Sequence, residues 1–415
     1  MKSRQTIRSL TTLTFFLGFA YLTAGQWVKQ QSGTFDLLYS ICFPAPDTGY
    51  VVGAYGTILK TTNGGSTWIS QTSGTECGLC TVFFLNTETG YAAGRGQKNP
   101  RMIKTTDGGE TWIRLDPDSI IGFQFKFFSL FFLDVSTGFA VGAGNDDKGA
   151  ILKTVDGGET WVQKYAAIES SFYIRSVFFS DPTHGFATGT YSNPNYASRI
   201  LKTVDGGETW TSESSGTKSS LFSIYFTDPS TGYIGGYPGV LLKTEDYGTT
   251  WVNQNIGATN GAFSISFPTT STGYGAGYNN MIMKTKDGGI TWTGLPTGVT
   301  EYLESICFTD ENTGYAVGQA GTILKTINGG GTGAGEEEHQ LNSKLFTLYP
   351  NPASSFISVE SEHPGELTIL NLQGKEITKQ EINTNTIDVS LLPSGIYLVK
   401  VVGEKGVEVG KFIKE

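Results

Sequence analysis

The decapeptide LKTVDGGETW occurs twice, letter for letter, at 152–161 and at 201–210. Near-copies stand at 59–68 (LKTTNGGSTW), 103–112 (IKTTDGGETW), 242–251 (LKTEDYGTTW) and 283–292 (MKTKDGGITW). A seventh, LKTINGGGTG at 324–333, lacks the tryptophan. The pattern predicts a β-hairpin. Leu-Lys-Thr ends one strand, Asp-Gly-Gly turns the chain, and Thr-Trp begins the next. Paired glycines supply the positive φ values that a tight turn demands. The Asp or Asn ahead of them bonds backbone N–H groups across the turn. The tryptophan then buries a large surface against a neighbouring unit.

A second motif precedes each hairpin: Phe, a polar turn, Thr-Gly or His-Gly, an aromatic, then Gly. Its copies begin at Phe43, Phe84, Phe132, Phe179, Phe226, Phe267 and Phe308, spaced by 41 to 48 residues. Short strands repeating at a period in the forties predict an all-β fold, a seven-bladed β-propeller over residues 26–333. Alternation before each Phe puts Ile41, Val82, Leu130, Val177, Ile224, Ile265 and Ile306 in the core between blades. Because the last repeat has Gly333 where Trp is expected, the N-terminal stretch from Gln26 to Thr34 supplies the missing piece. Trp27 is expected in the outer strand of the last blade, closing the ring. The seven equivalent lysines, such as Lys104 and Lys153, read as stems over apolar surface with solvated heads.

The ends differ in composition from the repeats. Residues 1–25 carry Lys2, Arg4 and Arg8, a short apolar run, and small residues at Thr23-Ala24-Gly25, the pattern of a cleaved signal peptide. Residues 334–344, with three successive glutamates, form a linker. Residues 345–415 contain short alternating strands and no hairpin repeat, which predicts a small Ig-like β-sandwich. With a net charge of −9 and only 16% charged residues, the chain lacks the basic surface that nucleic acid requires. No stretch after the signal is apolar enough to span a bilayer. In an exported chain Cys77-x-x-Cys80 can close a local disulfide. Cys42 and Cys307, at equivalent positions of the first and last repeats, read either as a second bridge or as two free thiols.

The hairpin resembles the Asp-box of sialidases and related propellers, which Thr105, Asp107, Gly109, Thr111 and Trp112 match in full. There the box is a folding element, so Asp107, Asp156, Asp205, Asp246 and Asp287 are assigned structural roles. So are Trp112, Trp161, Trp210, Trp251 and Trp292. Residues 26–333 are similar to the photosystem II assembly and stability factor family, residues 313–330 most clearly. The tail resembles the type A C-terminal sorting domain of the type IX secretion system of Bacteroidota. Tyr349-Pro350-Asn351-Pro352, Asn371 to Lys375, Gly395-Ile396-Tyr397 and the final Lys411 to Lys414 carry that likeness. It implies export across both membranes, recognition by the secretion machinery, then release or attachment at the cell surface. The photosynthetic role does not transfer, because such a tail implies a bacterium without a photosystem.

Candidate chemistry concentrates in repeats two to four. Their B–C and D–A loops are the long ones, and every arginine of the mature chain lies there. Arg95, Arg101, Arg175 and Arg199, with Tyr191 and Tyr196, are the candidate ligand-binding set, suited to carboxylates, anionic sugars or a protein partner. A glycoside hydrolase, sialidase-like or polysaccharide-degrading, is the alternative. It would need a pair of carboxylates at the site. Glu301 and Glu304 are the only close pair in a channel-facing region and read as solvated. His184 has no Ser or Cys partner. The expectation is a non-catalytic binding or scaffold protein with no catalytic residues, no cofactor and no metal.

Overall fold

The computed structural model describes residues 27–96, 101–115, 124–193, 197–254, 256, 261–331, 346–361, 365–371, 375–381, 386–403 and 406–415. The expected signal segment and Tyr196 lie outside the described residues. The chain divides into two compact units, Met1–Gly333 and Ala334–Glu415.

The first unit is an all-β, propeller-like fold. Among its described residues are seven four-stranded antiparallel sheets. Their inner strands are Leu38–Cys42, Gly78–Phe84, Phe125–Phe132, Phe172–Phe179, Ser220–Phe226, Ala262–Ser266 and Leu303–Phe308. Each inner strand touches the next, and the last touches the first. The seventh sheet takes its outer strand from the other end of the chain. Val28, Lys29 and Gln30 pair with Lys325, Leu324 and Ile323. Trp27 is buried and meets the Phe308 ring edge-on at 5.9 Å.

Both repeated motifs have a packing reason. The strand-ending Phe folds back over the glycine that opens the next strand. A Cβ on Gly90 would lie 2.5 Å from the Phe84 ring, and one on Gly138 2.4 Å from Phe132. Only glycine allows that approach. The same Phe ring stacks on the aromatic of the preceding sheet and receives the tryptophan edge of its own. Tyr91 and Phe132 stack at 4.0 Å, with Trp161 at 6.2 Å from Phe132. Such a triad fills every junction between neighbouring sheets, and Trp27 completes the one between the sixth and the seventh.

The hairpin turns hold themselves through short hydrogen bonds. The Thr105 hydroxyl donates to Asp107 at 2.8 Å and accepts from the Gly109 amide at 2.8 Å. Asp107 in turn accepts from the Thr111 amide at 2.9 Å and the Thr111 hydroxyl at 2.6 Å. The turns at Asp156, Asp205, Asp246 and Asp287 repeat this network. These bonds, made first through Thr111, hold the Asp107 carboxyl down at about 2.

The repeated lysines depart from the expectation of solvated heads. Lys104 Nζ donates to Gly157 O at 3.0 Å in the next sheet's turn, and Lys153 Nζ to Gly206 O at 2.7 Å. Each also lies over an aromatic ring, at 5.4 Å for Lys104 on Tyr91. Turn carbonyls left over by the hairpin attract them, a tertiary effect that strand periodicity does not display.

The second unit pairs a three-stranded with a four-stranded sheet. Ile357, Val359, Leu367, Ile369, Val399, Val401 and Phe412 form its core. The Tyr349–Pro352 turn clasps the final strand: the Asn351 side chain accepts from Ile413 N at 2.9 Å, and Ala353 N donates to Ile413 O at 2.8 Å. Gly395 opens the long strand Gly395–Gly403, and the Tyr397 hydroxyl donates to Pro393 O at 2.9 Å.

Candidate functional site

Every inner strand carries a β-bulge at the same place. A bulge inserts one unpaired residue and turns its side chain out of the ladder. The seven bulged residues are Tyr39, Cys80, Phe128, Arg175, Phe222, Phe263 and Glu304. Neighbouring positions repeat almost unchanged, whereas this column differs from sheet to sheet.

Three of the candidate arginines converge on one cleft of about 670 Å³, together with Lys126, Phe128 and Tyr173. Arg175 is mostly buried. Its guanidinium lies 4.5 Å from the Phe128 ring, 5.2 Å from Tyr173 and 5.9 Å from Phe222. Such cation–π contacts replace part of the lost hydration. Its Nε is buried with no hydrogen-bond partner among the described residues. Burial first, then the positive charge of Arg95, holds the Arg175 guanidinium below its usual value. Arg95 lies 5.8 Å from the Phe128 ring and bonds Tyr39 and Cys80. Arg101 Nε donates to Gly96 O at 2.8 Å. Lys126 is neutralised by Asp147 at 2.6 Å.

The remaining candidates do not join this group. Tyr191 tilts against Phe172 at 4.8 Å and packs into the core of the fourth sheet. Arg199 pairs with Gly189 and Ser214 in a middle strand and faces Tyr165. Proximity in sequence to the long loops had grouped them, but strand pairing carries both away. Lys126, Phe128 and Tyr173 were not among the sequence candidates. The varying bulge column was the signal that could have found Phe128.

The two glutamates also separate. Glu301 pairs with Lys29 at 3.6 Å and accepts from the Thr300 amide. Glu304 is half-buried rather than fully solvated: burial pushes its carboxyl up, and Arg95 pulls it partly back. Among the described residues no carboxylate lines the cleft itself. Among the described residues no cluster of three metal-ligating side chains occurs, and no helix is long and apolar enough to cross a membrane.

No bridge joins Cys77 and Cys80 in this structure, where the Cys80 thiol donates to Gly78 O at 3.7 Å.

Comparison with known proteins follows the two units. Residues 347–415 match the family model of the secretion system C-terminal sorting domain. Residues 20–122, 168–259 and 250–345 match that of the photosynthesis system II assembly factor YCF48. No curated protein matches the chain. Among solved structures, YCF48 from Cyanidioschyzon merolae superposes with a TM-score of 0.59 at 23% identity, over 72% of this chain and 98% of its own. YCF48 bound to D1 peptide gives 0.60 at 21%, over 74% and 98%. PorZ, a surface component of the type-IX secretion system of Porphyromonas gingivalis, gives 0.56 at 12%, over 93% of this chain and 60% of its own. These structural likenesses are likenesses of fold, and the sorting tail marks the chain for secretion or the cell surface through the type IX machinery. With its model matched over more than half of the length, the chain belongs to the photosynthesis system II assembly factor YCF48 family of propeller proteins.

Proposed function

We propose that the protein is a secreted or surface-held, seven-bladed propeller followed by an Ig-like sorting domain, and that it binds rather than catalyses. The cleft at Arg95, Arg101 and Arg175 takes a carboxylate-bearing ligand, a polypeptide segment or an anionic glycan. One observation carries this reading: Arg95 and Arg175 share a cleft that no described carboxylate lines, and Arg175 keeps a buried Nε with no partner among the described residues. Guanidinium recognises carboxylate through paired N–H donors, and aromatic walls lower the cost of dehydrating it. The likeness to YCF48 bound to D1 peptide supports a polypeptide. That no carboxylate pair lines the cleft among the described residues supports a non-catalytic role, because glycoside hydrolysis commonly uses two.

The test is an array of acidic peptides and anionic glycans probed with the full mature chain. Saturable binding is expected, weakened about tenfold to a hundredfold by Arg95→Gln with Arg175→Gln, the loss of one or two charge-assisted bonds. Unchanged binding in that variant removes the cleft from the proposal. Turnover of a glycoside overturns the non-catalytic reading.

A further inference from the structure

The ring of inner strands closes at one seam, between the first and the seventh sheets. One residue before each conserved Phe, the ring reads Cys42, Phe83, Phe131, Phe178, Tyr225, Ser266 and Cys307. Two cysteines therefore stand side by side in this ring, and they do so across the seam. Polar side chains at this position reach over to the next inner strand. Ser266 Oγ accepts from Phe308 N at 3.3 Å, and the Tyr225 hydroxyl donates to Phe267 O at 3.1 Å. Cys307 makes the same reach, hydrogen-bonding the backbone of Phe43, the residue bonded to Cys42. Cys42 reaches the backbone of Phe84 in the same way, and Cys307 lies close enough to raise the Cys42 thiol further. Both are free thiols and both are only half-buried.

The other seam contacts are non-covalent. Among them are the Phe43–Tyr315 stack at 4.0 Å and the Tyr315 hydroxyl donating to Gly64 O at 2.8 Å, while the three-residue pairing of Val28–Gln30 completes the seventh sheet itself. The sorting domain sends this chain out of the reducing cytoplasm, into surroundings where paired thiols oxidise.

We propose that Cys42 and Cys307 are joined as a disulfide in the exported protein, a covalent clasp on the ring. The bond forms by exchange with the disulfide of an exported dithiol oxidoreductase. One Sγ–Sγ bond is made, the donor's S–S bond is broken, and both thiol protons pass to the donor's two sulfurs. The cross-link encloses almost the whole ring. A loop of that length restricts the unfolded chain strongly, and it does so where the two ends of the propeller unit meet. The site is separate from the arginine cleft, so it stands or falls independently of what the cleft binds. Burial pushes Cys42 up to about 12 and Cys307 up to about 11. Little thiolate exists once the ring is shut, so exchange is fastest while the seam is open, during folding.

The test uses the full chain recovered from outside the cell, denatured in an alkylating reagent without reductant. Two of its four cysteines, Cys77 and Cys80, are expected to be alkylated, and a peptide pair joining Cys42 to Cys307 is expected by mass spectrometry. Prior reduction should expose all four and lower the thermal midpoint. Cys42→Ser with Cys307→Ser should abolish both the cross-linked peptide and the effect of reduction. Serine already occupies this ring position at Ser266, so the variant keeps a side chain the position accepts. Four alkylated cysteines before reduction, or alkylation of Cys42 and Cys307, would sink the proposal.

Discussion

The outer turns and the bulge ring of the same propeller obey opposite rules. Around the outside, sheet after sheet uses one solution: Thr, Asp or Asn, two glycine positions, Thr and Trp. At the bulges, seven sheets present a phenol, a thiol, three phenyl rings, a guanidinium and a carboxyl. Repetition marks what every junction needs to pack. Variation marks where packing makes no demand and a ligand can. The loops follow the same division. The second to fourth sheets gather the arginines, whereas the fifth to seventh present a stack of Tyr237, Tyr278 and Tyr302 at 4.3 and 4.5 Å.

The comparison breaks most sharply at a junction aromatic. Phe132→Ala removes a ring packed on Tyr91, Trp161 and Gly138. It is expected to cost about 3–5 kcal/mol of stability in denaturant unfolding. Arg175→Met, by contrast, should leave stability within about 1 kcal/mol of wild type, because an apolar side chain replaces a buried, unpaired charge. Equal losses in the two variants would erase the distinction between frame and site.

A smaller effect separates the turns from one another. Asp107 titrates at about 2 when folded, below its ordinary 3.8. A depressed carboxyl contributes stability above its unfolded pKa and loses it as pH falls through the folded one. The first and seventh sheets use Asn63 and Asn328 instead, which do not titrate. Between pH about 4 and about 2, protection of the Thr111 amide from hydrogen exchange should fall relative to that of Thr67, which Asn63 holds at 2.9 Å. Parallel loss at both amides would count against the carboxylate network.

The smallest effect concerns the one turn that departs from two glycines. Tyr247 takes the place of the first glycine and has a φ of 61°. Its side chain is exposed. Tyr247→Gly should raise stability by about 0.5–1 kcal/mol, the relieved strain less the added freedom of the unfolded chain. Thermal unfolding of the two proteins checks it.

Much of the frame was legible because it repeats. Seven copies of Phe and Gly at fixed spacing reveal a shared constraint even before the Phe ring is seen lying on the Gly. The tail was legible for a different reason, since its motifs recur in order. The cleft was legible only in part. Arg95, Arg101 and Arg175 were found by their concentration in long loops, but Tyr191 and Arg199 entered on the same argument and belong elsewhere. Loop length says that a region is free to vary; it does not say where a side chain points.

Local chemistry along the chain was enough to determine the all-β repeat, the turn that starts each outer strand and the secretion tail, because each rests on interactions within some ten residues or on a motif carried whole. The tertiary structure alone decided that a lysine from one sheet caps a turn in the next and that Arg175 is sunk among three aromatic rings. Those depend on which sheets become neighbours when the ring closes, a constraint that joins residues about fifty positions apart and leaves no local trace.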